Sequence, residues 1–372
     1  MRIGVPRETA PRENRVAATP ETVGKMKGWG TIVVETGAGR AADMSDEAYV
    51  AAGATIGDPW DCDLVLTVAP PTLETASKLA KGATLVGHAD PEDRPDVVAA
   101  LCAGGNNWVA VEHVPRIARA QKMDVLSATA NLAGYRAVLE ATHVFTRFMP
   151  MLMTAAGTIT PAQVLVVGAG VAGLSAIATA KRLGAVVRAF DTRSAVREQV
   201  KSLGAKFVEV ELGGDAEDKS GYAKALNADN ESRVKEALDK AARSSDIIIT
   251  TALVGGRFAP RLIEASTVAG MKPGSVIVDL AASRGGNCAL TVADQHVITD
   301  NGVHVLGYTD LPSRMATDAS RLYSRAIREL VGLLRGKSES DLDLDSDDEI
   351  VRGALLLRAG KPIHPAVGGT RG

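Results

Sequence analysis

The sequence predicts an α/β protein made of two Rossmann-like doubly wound domains, the second carrying a GxGxxG dinucleotide site. Three observations lead there. Short apolar, β-branched runs alternate with helix-like stretches along most of the chain, as parallel sheets covered by helices require. At 372 residues the chain exceeds what one hydrophobic core usually supports. A glycine cluster falls at the seam between an apolar run and a helical one.

In chain order, RIGVP, TIVVET, CDLVLTV, ATLVGH and NWVAVE read as short strands, separated by segments such as PETVGKMKGWG that end in glycine. They make up the first domain. After Val125, LSATANLAGYRAVLEATHVFTRF has apolar residues at helical spacing and bridges to the second domain. From Gln163 onward VLVVG, AVVRAFD, AKFVEV, DIIITTAL, SVIVDLA and VHVLGYT recur at intervals suited to βαβ units. The tail holds the helix-like PSRMATDASRLYSRAIRELVGLL, an acidic run, and an apolar stretch with a turn at RAGK; it is expected to return to the first domain. The predicted domains are therefore 1–126 with 310–372, and 127–309.

A net charge of −2 and 3% aromatic residues exclude the basic field and stacking platforms that nucleic-acid binding depends on. Cys62, Cys102 and Cys288 are odd in number and never in a CxxC or Cys/His spacing, which fits a reducing cytosol and no metal site. The N-terminus MRIGVPRETAPRENR lacks an apolar core and is not a secretory signal. The run from Phe148 to Ala180 has no charged residue, but Pro150, Pro161, Gln163 and several glycines break it, so no membrane span is expected there. The acidic SESDLDLDSDDE lacks the Gly and terminal acid of an EF-hand loop and reads as a solvated linker. Between Glu211 and Glu231, GGDAEDKSGYAKALNADN is longer than a doubly wound domain needs; a flap over the site and a plain surface excursion both remain open.

The sequence VLVVGAGVAGLSAIATAKRLGAVVRAFD places Gly168, Gly170 and Gly173 in GxGxxG register, and Asp191 falls 23 residues after Gly168 at the end of the next strand. Gly168 permits the tight turn, Gly170 lets backbone approach a pyrophosphate, and Gly173 allows close helix–strand packing. The helix N-terminus supplies amides and a partial positive charge. Ala169 and Val171 lie in the same turn and are expected to contact the cofactor. Asp191 can accept from both adenosine-ribose hydroxyls and repels a 2′-phosphate, which selects NAD(H) over NADP(H). Thr192 and Arg193 follow it; an arginine there either accommodates a 2′-phosphate or lies near the adenine.

With RVAATPETV, PRIARAQKMDVLSATANLAGYRAV, MTAAGTITPAQVLVVGAGVAGLSAIATAKRLGA, GYAKAL, DIIITTAL, MKPGSVIVDLA and RGGN in order, the chain resembles the NAD(H)-binding domain I, carried by the alpha subunit, of proton-translocating nicotinamide nucleotide transhydrogenases. The likeness covers nearly the whole chain. It implies that Arg116, Asp124 and Ser127 orient the dihydronicotinamide while Gln121 reaches toward NADP(H) on a partner subunit, an interdomain salt bridge and helix cap being the plainer alternative. It makes Tyr222, beside Gly221, the residue that closes over bound nucleotide, and sets Leu253 on the adenosine side. Val234 aligns with a position where relatives carry a polar nucleotide contact. The implied protein is a homodimer on the cytoplasmic face of the membrane, a Re/Si-specific NAD(P)+ transhydrogenase subunit without full turnover alone. Its implied partners are a membrane subunit that moves protons and an NADP(H)-binding beta subunit.

Two rival readings stand beside this one. Alanine dehydrogenase shares the architecture, and Arg15 and His88 match it, but Thr67 and Ala69 stand where that family carries a lysine. Ser283 replaces a carboxylate there, leaving only Asp279, and without those groups acid–base catalysis forfeits about 10²–10⁴ in rate. His88 then reads as structural. A non-enzymatic NAD-responsive protein would keep Gly168, Gly170, Gly173 and Asp191 but need no orienting loop.

Overall fold

A computed structural model describes residues 1–210, 228–254, 259–335 and 341–368. The chain divides into two compact units, Met1–Thr129 with Ser313–Gly372, and Ala130–Pro312.

The first unit is built on β1 (Arg2–Val5), β2 (Thr31–Val34), β3 (Thr55–Ile56), β4 (Leu64–Leu66), β5 (Thr84–Gly87) and β6 (Asn107–Ala110), with β16 (Leu355–Arg358) and β17 (Lys361–Pro362) from the far end of the chain. Their order is β3-β2-β1-β4-β5-β6-β16-β17. The first six run parallel, and β16 joins β6 antiparallel with an irregularity between Leu355 and Leu357. Every residue of β4, β5 and β6 is buried, as parallel strands covered on both faces demand. Alternation sorts them: Leu64 and Leu66 enter one core with Ile3, Val5 and Tyr49, while Val65 enters the other with Leu85, Leu101 and Trp108. The helix Ala316–Arg335 lays Tyr323, Ile327, Leu330, Val331 and Leu334 into the first of these cores, a helical spacing legible in the sequence.

The acidic segment keeps Asp341, Asp343, Asp345, Asp347 and Glu349 exposed to solvent, as expected, but where it is described it is anchored and is not a free linker. Asp345 pairs with Arg358 at 2.7 Å, Asp348 accepts the Ile350 amide at 2.8 Å to cap the helix Glu349–Ala354, and Leu344 is buried in the core. Burial of Leu344 holds the run against the unit, and the exposed pair with Arg358 adds little to it.

The helix Val125–Val144 carries the chain into the second unit. There β7 (Leu152–Thr154) and β8 (Gly157–Ile159) form a separate hairpin. The main sheet contains β9 (Gln163–Val167), β10 (Val186–Phe190), β11 (Lys206–Phe207), β12 (Ile247–Thr250), β13 (Val276–Asp279), β14 (His296–Ile298) and β15 (His304–Leu306). Its order is β11-β10-β9-β12-β13-β15-β14, parallel except for β14. From β9 the chain runs outward to β10 and β11, then returns to place β12 on the other side of β9. The order thus reverses at β9, where ligands bind in open α/β sheets. Asp246, with a side chain 3% exposed, pins this region by accepting the Gln163 amide at 2.8 Å and the Arg147 and Lys272 side chains at 2.9 Å each. The uncharged stretch is divided among the hairpin, β9 and the helix Val171–Arg182, and among the described residues no helix is long and apolar enough to cross a membrane.

Candidate functional site

The glycine motif follows β9 directly. Gly168 sits at φ +94, which L side chains rarely adopt, and a Cβ on Gly173 would stand 1.8 Å from the Gly168 carbonyl oxygen. Those two glycines are demanded by the fold itself, because the helix Val171–Arg182 packs directly onto the turn. Gly170 differs. Its φ of −75 and ψ of −168 suit any residue, and a Cβ there would meet nothing nearer than Arg193 Nη2 at 3.9 Å. Gly170 is the helix N-cap and no side chain caps it, so the first-turn amides remain open to an anion above a bare glycine face. This cradle fits a dinucleotide pyrophosphate. Ala169 is buried behind it, while Val171 is exposed at the helix start.

Asp191 directly follows β10 and is 8% exposed. Its Oδ2 accepts the Ala169 amide at 2.7 Å and Arg193 Nη2 at 2.8 Å; its Oδ1 accepts the Arg193 amide and Nε, both at 2.9 Å. The carboxylate is thus tied to the glycine turn. Thr192 Oγ1 is buried and lacks a hydrogen-bond partner among the described residues. Leu253 is half-buried in the loop after β12. Asn287, fully buried, fixes that loop by accepting the Ala252 amide at 3.0 Å and donating to the Ala252 and Pro260 carbonyls at 2.9 Å each. Thr251 Oγ1 donates to the Gly168 carbonyl at 3.1 Å. Neither role could be read from spacing, since each joins segments far apart in sequence. Gly221 and Tyr222 lie outside the described residues. Val234 is buried at 0% exposure among Leu165, Val167 and Leu238, so this apolar side chain serves the core and does not stand in for a nucleotide contact.

The residues of PRIARAQKMD lie in the first unit. Arg116 is exposed, and Gln121 is exposed on the 3₁₀ turn Ala118–Met123, whose Ala120 and Met123 are buried. Asp124 accepts the Ser127 amide at 2.9 Å and the Ser127 hydroxyl at 2.5 Å, an N-terminal cap on the helix that begins at Val125. Arg119, which no motif in the sequence singles out, is held by Asp348 through two bonds of 2.6 and 2.9 Å. The turn is therefore anchored at both ends with Gln121 turned outward.

The positions shared with the rival reading are already engaged. Arg15 forks onto Glu13 at 2.7 and 2.6 Å. Burial opposes ionisation of Glu112, yet His88 beside it and the neighbouring backbone amides outweigh burial and hold its carboxyl down at about 2. Burial pushes the Glu8 carboxyl up to about 7 although the Val68 and Ala69 amides donate to it. Asp279 is fully buried and accepts the Ala281 and Cys288 amides at 3.0 Å each and the Thr291 hydroxyl at 2.6 Å.

Comparison with known proteins places these features in context. The family model "Alanine dehydrogenase/PNT, N-terminal domain" matches residues 4–133, and "Alanine dehydrogenase/PNT, C-terminal domain" matches residues 137–365. The chain is 46% identical over 370 residues to the NAD(P) transhydrogenase subunit alpha of Haemophilus influenzae, covering 98% of this chain and 72% of that one. It is 44% identical over 383 residues to an NAD(P) transhydrogenase subunit alpha chain of Rhodospirillum rubrum, covering 99% of each. The solved transhydrogenase structure from Sinorhizobium meliloti superposes with a TM-score of 0.86 at 39% identity, covering 98% of this chain and 100% of that one. With both domain models matched in order and relatives this similar along their lengths, the chain belongs to the alanine dehydrogenase/PNT family.

Proposed function

We propose that this chain is the NAD(H)-binding peripheral subunit of a proton-translocating transhydrogenase. The observation that carries the reading is the uncapped helix N-terminus over the bare face of Gly170, with Asp191 hydrogen-bonded to the same turn. In this reading Gly168, Ala169, Gly170, Val171 and Gly173 hold the pyrophosphate, Asp191 with Thr192 meets the adenosine ribose, Arg193 lies near the adenine, and Leu253 lines the adenosine side. Tyr222 and Gly221 close over the nucleotide. The chemistry the cofactors supply is direct hydride transfer from NADH to NADP+ held by a beta subunit, which requires reacting atoms about 3–3.5 Å apart. A ring-to-ring hydride needs no side-chain proton donor, so the chain's own residues orient and exclude water. Arg116, Asp124 and Ser127 hold the dihydronicotinamide: with its proton given to Asp124, the Ser127 hydroxyl keeps its lone pairs to accept from a carboxamide. Gln121 reaches toward the partner's nicotinamide.

Proton translocation belongs to a membrane subunit, against which this chain docks from the cytoplasmic side. We assign the β7–β8 hairpin to a homodimer contact. Every residue from Met151 to Thr160 is exposed, and a lone two-stranded hairpin is marginal in water. The arm carries no charge, so a second identical arm meets no like-charge penalty in a symmetric pairing.

The test is to titrate the purified chain with NADH and NADPH, then add an NADP(H)-loaded beta-type domain and follow hydride transfer to an NAD analogue. NADH-selective binding with transfer only in the mixture is expected, and Gln121→Ala should slow transfer while keeping NADH affinity. Alanine-dependent NADH formation by the chain alone would instead sink the reading. The hydrogen bonds that Asp279 and Arg15 already make speak against that outcome.

A further inference from the structure

We propose that Arg193 is a displaceable occupant of the adenosine-ribose seat, its guanidinium holding the Asp191 oxygens that a ribose diol takes, so that its expulsion is a step of NAD(H) binding. The proposal rests on the dinucleotide reading above and adds to it a residue that sets affinity and selectivity.

An ionised carboxylate offers about four acceptor positions. Asp191 has four donors on them: the Ala169 amide and Arg193 Nη2 on Oδ2, the Arg193 amide and Nε on Oδ1. The two amides belong to backbone fixed by the glycine turn and the end of β10, and they cannot leave without unravelling both. The two guanidinium donors can. Their departure frees one position on each oxygen, which is what the 2′ and 3′ hydroxyls of one ribose need.

A second observation puts the guanidinium in the way. Arg193 Nη2 is the nearest atom to the open face of Gly170, 3.9 Å from where a Cβ would stand. The same side chain therefore covers the carboxylate and the edge of the pyrophosphate cradle. The pair is no loose surface contact: the Arg193 and Asp191 side chains are only 14% and 5% exposed. Screening by solvent is weak at that depth, and a two-bonded arginine–carboxylate fork is among the stronger polar contacts. Beyond Arg193 the chain turns outward at exposed Ser194 and Ala195, which leaves a displaced side chain room to swing.

Two consequences follow. The apparent affinity for NADH is the intrinsic one reduced by the fraction of molecules with the seat open, so removing the occupant tightens binding. The effect on NADPH is opposite: Arg193 is the cation that offsets Asp191, and without it the bare carboxylate meets the 2′-phosphate.

The experiment measures dissociation constants of wild type, Arg193→Ala and Arg193→Lys for NADH, ADP-ribose, NADPH and reduced nicotinamide mononucleotide, with circular dichroism melts to verify folding. Arg193→Ala should tighten NADH and ADP-ribose by one common factor of at least about fivefold. Reduced nicotinamide mononucleotide, which lacks the adenosine, should bind unchanged, and NADPH should weaken. Arg193→Lys, which can make only some of the fork, should fall between and also serves if the alanine variant folds poorly. Equal or weaker NADH binding in both variants overturns the proposal, as does a gain that extends to the mononucleotide. If wild type itself binds neither NADH nor ADP-ribose, the dinucleotide reading has failed and this proposal fails with it. That outcome is distinguished by the wild-type titration alone.

Discussion

The glycines at 170 and 173 are separated by one helical turn and are predicted to fail for opposite reasons when replaced. In Gly173→Ala the new Cβ would lie 1.8 Å from the Gly168 carbonyl oxygen, far inside the 3.4 Å at which ordinary contact begins. The strand end and the helix must separate, and both are packed, so the loss of stability should reach the top of the overpacking range, about 3 kcal/mol. For a unit of this size that lowers the melting temperature by roughly 6–12 °C. In Gly170→Ala the Cβ points into open space with an allowed backbone, and only the poorer N-cap propensity of alanine costs stability, below about 1 kcal/mol. The methyl group lies instead where a pyrophosphate must approach the amides. NADH affinity should fall at least about tenfold, or 1.4 kcal/mol, in a protein that still folds. Urea denaturation followed by circular dichroism gives the first quantity and NADH fluorescence titration the second. If Gly170→Ala bound NADH like wild type, or melted as early as Gly173→Ala, the division between a structural and a cofactor-facing glycine would be wrong.

Four further outcomes can be measured on the same preparation. Asp246→Ala leaves the Gln163 amide without an acceptor, while Lys272 and Arg147, about half exposed, pass to water; the cost in denaturant unfolding should be about 1–3 kcal/mol. Glu8 has a folded value of about 7 against about 4.5 unfolded, so its contribution to stability is fully present below 4.5 and is lost as pH rises through 7. That amounts to about 3 kcal/mol, and a Glu8→Gln variant should lack this slope between those pH values. Glu112, held down at about 2, acts the other way: its contribution is present above 4.5 and disappears as pH falls toward 2, a limb that Glu112→Gln should abolish. Met153→Asp, at a hairpin position 73% exposed, should shift sedimentation from dimer to monomer without altering the melting curve of the second unit.

Much of the fold was legible because its causes are local. Parallel strands buried on both faces must be short apolar runs, and β1, β2, β4, β5, β6, β9, β10, β12, β13 and β15 all fall within runs recognisable as such. Strands whose role depends on a distant partner were not. β16 is apolar, but nothing near it says that it pairs with β6 across more than two hundred residues, and AKFVEV gives only the two residues Lys206–Phe207 to the sheet. The acidic segment's anchoring is hidden for the same reason: most of its carboxylates stay exposed, as charge density suggests, but its partners Arg119 and Arg358 are read only in three dimensions. At the site, the glycine register and Asp191 announce themselves by spacing. Arg116, Gln121, Asp124 and Ser127 are singled out only by resemblance, because a loop of this kind obeys no periodicity. Asn287 and the Arg193 fork are visible only once the chain is folded.

The difference between the two readings of this family comes down to which polar groups still have valence to spend. In the first unit Arg15 is doubly bonded to Glu13, Tyr323 donates its hydroxyl to the Thr67 carbonyl, and Glu112 Oε1 accepts the Ala89 and Asp90 amides while Oε2 faces His88 at 3.6 Å. Acid–base work on an amino acid needs a proton carrier facing the substrate, and the lysine position offers a threonine whose hydroxyl is buried. Asp279 in the second unit is fully buried and already holds three donors. By contrast, Gln121 stands exposed on an anchored turn, the helix after Gly170 keeps its amides uncapped, and Asp191 trades two of its donors by moving one side chain. Groups able to orient a ligand without exchanging protons are thus among those left available, which suits the proposed passage of a hydride directly between two nicotinamides.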